Sequence, residues 1–348
     1  MMAEPAFGTS VTAEILSSLP RAVDPLALSL NESPFPPLPA VRSALAHCLD
    51  VANRYPEFLP GQLRRMIADR VGLDENQVVL GTGASGVAMQ VLHAVTRPGD
   101  RIVMSTPTFD GYPIFAQMAR LTPVTVPLDR HGYQDLAAMA EAAVDARVVV
   151  LCRPHNPTGT FEPSWSVEWF LSQIPSDTVV LLDEAYIEFV ASKYRFDGPD
   201  LVRRFPNVVV LRTFSKAYGL AGLRIGYGFA APELSDRLWT MQLPFGMSSV
   251  SVAAVAASYD AGPQLARRIR RITSERNHLR LRLMAMGVYS TDSHANFVYL
   301  PMGRRPWSEV FTEAGLHVRC YPDGGARITV GDPASTLAVL SAVEKSLT

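Results

Sequence analysis

The sequence predicts an α/β fold, with a large domain on a mainly parallel sheet flanked by helices and a smaller α/β domain behind it. Two observations predict this. Short apolar runs rich in Val and Ile alternate with helical patterns as far as about Pro244, and the texture then changes to a long Arg-rich helix followed by strand-like runs. The chain has 348 residues, long for a single hydrophobic core, so a large unit with a smaller companion is the default expectation. We expect a boundary scheme of 1–34 for an N-terminal arm with part of the small domain, 35–243 for the large domain and 244–348 for the small one.

Each element follows in order. The run NESPFPPLP, with Pro34, Pro36, Pro37 and Pro39, forbids helix and reads as an extended strap before the amphipathic stretch AVRSALAHCLD. VVLGTG then ASGVAMQVLHAV, RIVMS then YPIFAQMARL, and VVVLC then SVEWFLSQI are strand and helix pairs. TVVLLDEAY and NVVVLRTFS continue the sheet, each ending in polar residues where an open α/β sheet places its ligand site. The run GPQLARRIRRITSERNHLRLRLMAM reads as a long helix with a solvated basic face. NFVYLP, LHVRCY and ARITVG read as a small antiparallel sheet.

Composition excludes several classes. With 48% hydrophobic and 19% charged residues the chain buries ample apolar surface. A formal charge of -1, from 32 basic and 33 acidic residues, gives no field to gather nucleic acid or an anionic membrane. Cys48, Cys152 and Cys320 form neither a disulfide framework nor a metal-ligand cluster, so no metal is expected and a reducing cytoplasm fits. The first residues lack a basic start before an apolar core, and no run reaches the roughly 18 apolar residues of a membrane span.

The chemistry centres on TFSKAYGLAGLRIGYG, Thr213 to Gly228. A lysine just after a buried strand can condense with an aldehyde cofactor, while Thr213, Ser215 and Arg224 could receive a phosphate. An exposed lysine before a Gly-rich turn is the plainer alternative. Asp183 ends an apolar strand, where a lone Asp is most often a cap or turn residue. In GTGASG the small residues let backbone approach a ligand, and the following helix offers its first amides to an anion.

This segment resembles the cofactor-lysine signature of fold-type I pyridoxal-phosphate aminotransferases. The likeness runs through NESPFPPLP, NRYPE, GTGAS, PTFDGY, HNPTG, DEAYIEF, PFGMSS, ANFVYLP and VRCYPDGGARITVG. It is similar to the histidinol-phosphate aminotransferase group and, within it, to the actinobacterial aromatic (phenylalanine) aminotransferases. The resemblance implies pyridoxal 5'-phosphate carried by Lys216, with Asp183 on the pyridine nitrogen, Tyr186 and Asn156 on the ring hydroxyl, and Ala84, Ser85, Thr213, Ser215 and Arg224 around the phosphate. It implies Tyr112 stacked on the ring, with Phe109 the other candidate. It also implies that Tyr55 reaches the phosphate of a neighbouring subunit, making a homodimer with shared sites.

At the substrate end the resemblance implies Arg327 on the α-carboxylate, with Asn156 beside it, and Arg319 as a second arginine that in histidinol-phosphate enzymes contacts the substrate phosphate. Only CYPDGGA separates the two arginines, as in the aromatic branch, whereas PTFDGY resembles the histidinol-phosphate branch. GTGASG lacks the acidic residues usual in that branch, and NESP replaces NENP. The expected reaction is ping-pong transfer of the amino group of an aromatic L-amino acid to 2-oxoglutarate. The alternatives are histidinol-phosphate transamination, a transaminase or decarboxylase acting on a modified amino acid in specialised metabolism, and a non-enzymatic cofactor-binding regulatory domain, against which stands the lack of a DNA-binding segment before the arm.

Overall fold

The computed structural model describes residues 15, 16 and 18–347. The start of the expected arm, and with it most of the segment read for a leader, lies outside the described residues. The large layer is a seven-stranded sheet in the order β2-β8-β7-β6-β5-β3-β4. Its strands are β2 (Val78–Thr82), β3 (Arg101–Thr106), β4 (Thr122–Pro127), β5 (Val148–Cys152), β6 (Val179–Asp183), β7 (Val208–Thr213) and β8 (Ile225–Phe229). All run parallel except β8, which is antiparallel to both β2 and β7.

Alternation builds two cores from one sheet, because successive strand residues face opposite sides. Leu80, Val103, Val149, Leu151, Val180, Leu182 and Val210 pack on one face. Val79, Ile102, Met104, Val148, Val150, Leu181, Val209 and Leu211 pack on the other. The strands read as unbroken apolar runs for this reason.

Two strands were not expected from the sequence. β4 carries Pro123 and Pro127, which argues against a strand, but it lies at the sheet edge where a missing N–H is tolerated. β8, IGYGF, carries two glycines whose flat backbone serves the neighbouring turn: a Cβ at Gly226 would collide with the Ala84 amide.

The small layer is a four-stranded sheet in the order β1-β10-β11-β9, formed by β1 (Ala27–Leu28), β9 (Phe297–Leu300), β10 (His317–Cys320) and β11 (Ala326–Thr329). β9, β11 and β10 are antiparallel, as expected, whereas β1 arrives from the N-terminal segment and joins β10 in parallel. Ile272, Leu279 and Leu283 from the helix Gly262–Ala285 and Val339, Leu340 and Val343 from the helix Pro333–Leu347 cover this sheet.

The large-layer core continues beyond 243, since Ala254, Val255, Ala261 and Leu265 belong to it. The helix Gly262–Ala285 therefore spans both layers, with Leu265 in one core and Ile272 in the other. Its basic run is only partly solvated. Arg267, Arg270, Arg271 and Arg282 are exposed, but Arg268 and Arg276 are buried and act as ties. Arg268 donates to the carbonyls of Pro36 and Tyr218, fixing the proline strap beside the Lys216 turn, and Arg276 donates to Ala295 O at 3.0 Å.

Candidate active site

The C-terminal ends of the parallel strands open onto one cleft, the usual ligand position of such a sheet. It is lined by Ala84, Ser85, Tyr112, Asn156, Asp183, Tyr186, Thr213, Ser215, Lys216 and Arg224, together with Phe109, Phe115 and Cys152. Residues drawn from β2 to β8 and their loops thus converge as expected. The cup at one end starts with the helix Gly83–Val95, whose first turn has no side-chain cap and so keeps its amides available to an anion. Thr213 Oγ1 lies 2.9 Å from Ser215 Oγ, and Arg224 Nη1 reaches the same Ser215 hydroxyl at 3.4 Å.

Arg224 is held at φ 52°, ψ 56°, a left-handed conformation uncommon outside glycine, with its guanidinium beside Ser215 Oγ and Thr82 O. Gly83, at φ 77°, leaves room for it: a Cβ there would sit 2.5 Å from Arg224 Nη2. Amides, hydroxyls and a guanidinium with no carboxylate among these partners could receive a phosphate.

At the other end Asp183 is nearly buried, accepting from Tyr112 Oη at 2.7 Å and from the Ala185 amide at 3.0 Å. Burial raises its pKa above the usual carboxylate range, and the two donors only partly oppose this. A protonated ring nitrogen in the cleft would supply the missing positive partner.

Tyr112 has its hydroxyl committed to Asp183 and only 1% of its surface exposed, while Phe109 is half-buried and presents accessible ring to the cleft. Both rings line the cleft, Tyr112 with its hydroxyl tied to Asp183 and Phe109 with more of its surface open.

Lys216 Nζ donates to Leu30 O at 3.0 Å and lies 5.8 Å from the Tyr186 ring centroid. Burial lowers its pKa to about 8, with Arg327 and Arg224 adding repulsion. The sequence contains three lysines, and the other two, Lys193 and Lys345, are exposed on the surface. The Tyr186 hydroxyl accepts from Asn31 Nδ2 at 2.9 Å and Asn156 Nδ2 at 3.4 Å, which leaves its one hydrogen to donate to a ligand oxygen.

Asn156 is fixed by the turn it occupies. His155 there bonds Ser105 Oγ and Thr158 Oγ1, and burial lowers its pKa to about 3, so the ring is a neutral strut. Arg327 reaches across from β11, donating Nη1 to Asn156 Oδ1 and Nη2 to Ser29 O, while its buried Nε has no partner. A guanidinium held by neutral acceptors with an N–H to spare suits a carboxylate.

Two expected residues lie elsewhere. Tyr55 is 85% exposed and sits against Phe245, with ring centroids 4.9 Å apart, outside the cleft of its own chain. Arg319 is bound bidentately by Asp110, with Nε and Nη2 each 3.0 Å from a carboxylate oxygen.

Sequence reasoning missed the segment Ser29–Leu30–Asn31, whose successive groups hold Arg327, Lys216 and Tyr186. Asn31 is buried at φ 55°, and its signal was its place in the NESP motif. The Ser29 and Leu30 contacts are carbonyl contacts, which no side-chain pattern reveals.

The comparisons agree with this architecture. The family described as aminotransferase class I and II matches residues 23–343. The chain is 42% identical over 319 residues to an aromatic amino acid aminotransferase of Rhodococcus opacus, covering 91% of this chain and 88% of the relative. It is 40% identical over 323 residues to one of Cutibacterium acnes, covering 92% of each. Among solved structures, histidinol-phosphate aminotransferase of Sinorhizobium meliloti in complex with pyridoxal-5'-phosphate superposes with a TM-score of 0.86 at 27% identity, covering 98% of this chain and 100% of that one.

A fold of this kind with a single lysine in its cleft suits an enzyme of pyridoxal phosphate, and the chain belongs to the class I and II aminotransferase family. Among the described residues no helix is long and apolar enough to cross a membrane, and no cluster of His, Cys, Asp and Glu could hold a metal ion.

Proposed function

We propose that this enzyme moves the amino group of an aromatic L-amino acid to 2-oxoglutarate by a ping-pong reaction, with pyridoxal 5'-phosphate carried on Lys216. The observation that carries the reading is the convergence of Lys216 and Asp183 on one cleft, with the partly unpartnered Arg327 bonded to Asn156 of its lining. The aromatic preference rests on relatives of that name at 40 to 42% identity and on Phe109 and Phe115 in the cleft wall.

Bound in this cleft, the cofactor supplies a conjugated ring that withdraws electrons from the substrate Cα and stores the amino group between half-reactions. The chain's residues do the rest. Lys216 Nζ holds the cofactor aldehyde and, once the donor amine displaces it, takes the proton from the donor's Cα. Asp183 keeps the ring nitrogen protonated, and Tyr112 holds Asp183 in place. Tyr186 and Asn156 serve the ring hydroxyl, Tyr112 also stacks on the ring, with Phe109 the other candidate, and the cup from Ala84 to Arg224 holds the phosphate. Arg327 orients the carboxylate of donor and acceptor alike.

An amine must be uncharged to attack an aldehyde. Cofactor loading by the apo-protein is therefore expected to slow as pH falls below about 8 and to level off above it, followed as the growth of visible absorbance. A loading rate flat across that range would contradict the depressed Lys216 pKa. The reading as a whole is tested by mixing purified holoenzyme with phenylalanine, tyrosine, histidinol phosphate and aspartate, and recording loss of the lysine-bound cofactor band. Fastest bleaching by phenylalanine or tyrosine is expected, and bleaching only by histidinol phosphate would reassign the donor.

The enzyme works as a homodimer in which the partner subunit's Tyr55 completes the phosphate cup. Tyr55, Phe58, Leu243 and Phe245 are exposed together around one aromatic contact, a patch that water disfavours. Phe245→Asp is expected to shift the protein to a monomer in sedimentation velocity and to weaken phosphate-end binding. A dimer of unchanged strength would remove this surface from the interface. The unpaired Cys48, Cys152 and Cys320 support a reducing cytoplasm as its location.

A further inference from the structure

We infer that Asp110 sets substrate charge selectivity, by neutralising the second arginine of the substrate end so that the site rejects donors carrying a terminal phosphate. The inference rests on the aminotransferase reading above and deepens it.

Arg319 and Arg327 are direct cross-strand partners on β10 and β11, so their side chains leave the same face of the small sheet. Their charges are handled differently. Arg327 is bonded to two neutral oxygens and keeps a buried N–H unused. Arg319 has its charge matched by the two oxygens of Asp110, in the planar fork geometry that would otherwise grip a phosphate.

The pair of Asp110 and Arg319 joins the two layers of the molecule. Asp110 lies between Phe109 and Tyr112, which line the cofactor cleft, whereas Arg319 belongs to the small sheet. It heads the helix Gly111–Met118, yet its side chain makes no capping bond there, so local helix chemistry does not account for its acidity. The side chains are 45% and 47% exposed, so water screens the pair and an incoming anion can compete for Arg319.

An incoming phosphate meets two obstacles: it must displace a bidentate carboxylate, and it must approach that carboxylate's negative charge. A neutral aromatic side chain meets neither. The substrate end thus keeps one effective cation, Arg327, matched to the single charge of an amino acid's α-carboxylate, a group that histidinol phosphate replaces with a more highly charged phosphate ester.

The test measures kcat/KM of the cofactor-loaded enzyme for L-phenylalanine and L-histidinol phosphate in the wild type, Asp110→Asn, Arg319→Gln and the double variant. The wild type is expected to favour phenylalanine. Asp110→Asn is expected to raise the histidinol phosphate to phenylalanine ratio by about 3- to 10-fold, the scale of freeing one exposed ion pair and removing one repelling charge.

That gain should vanish in the double variant and shrink at high salt, neither of which a merely structural role of Asp110 would produce. A ratio within about twofold of wild type in Asp110→Asn, or a wild type that prefers histidinol phosphate, overturns the inference while leaving the transaminase reading intact. If circular dichroism shows Asp110→Asn misfolded, Asp110→Ser carries the same comparison. Turnover of no amino donor at all would instead sink the transaminase reading and this inference with it.

Discussion

Lys216→Ala is expected to lower turnover by at least ~10^4-fold and to erase the visible band of lysine-bound cofactor. The size of the effect follows from the absence of a substitute. Of the three lysines in the chain only Lys216 lines the cleft, and Lys193 and Lys345 sit on the surface. The other cleft cations are guanidiniums, which stay protonated and neither condense with an aldehyde nor shuttle a Cα proton. Cofactor retained noncovalently in the phosphate cup would separate loss of chemistry from loss of binding. Stopped-flow half-reactions with phenylalanine read the first, and equilibrium dialysis reads the second. Residual activity within a hundredfold of wild type would remove Lys216 from the mechanism.

Asp183→Asn is expected to slow the half-reaction by about 10^2- to 10^3-fold with a smaller loss of cofactor affinity. Asparagine keeps the shape and still accepts from Tyr112, so the fold around β6 should persist. What disappears is a negative charge whose burial already raises its pKa and which therefore gains most from a cationic ring nitrogen. The ring loses its proton more readily and withdraws electrons less well from the substrate Cα. A variant with a half-reaction rate within threefold of the parent would mean that the ring nitrogen is held by another group.

Much of this site could be read before the fold because its chemistry demands particular side chains at strand ends. Lys216 follows β7, Asp183 closes β6 and Ser85 lies in the first turn of the helix after β2, and though each alone has a plain structural reading, together they form a set that such elements rarely carry. The unread parts have physical causes. Tyr112 and Phe109 are both aromatic and three residues apart, so only the fold shows that Tyr112 is the more buried of the two and is tied to Asp183.

β8 hid within the glycine-rich stretch that also carries Arg224, and its reversed direction is invisible to periodicity. Arg268 and Arg276 share a basic run with exposed neighbours, and nothing local distinguishes a tie to a carbonyl from a solvated charge. The part of the core contributed by 254–265 lies past the change in texture used to set a boundary, because the helix Ser249–Asp260 is rich in small residues and packs without a strong apolar stripe.

The strap Ser29–Asn31 also bears on when the enzyme becomes active during its own synthesis. Asn31 meets Thr329, and Ser29 meets Arg327, each pair 298 residues apart in sequence, so these contacts close only after nearly the whole chain has been made. The strands that present Lys216 and Asp183 can pair much earlier. A nascent chain would therefore own a reactive amine before it owned the clamp for a carboxylate. Closing a loop of that length is entropically costly, and the ability to recognise an amino acid rests on contacts that bear that cost.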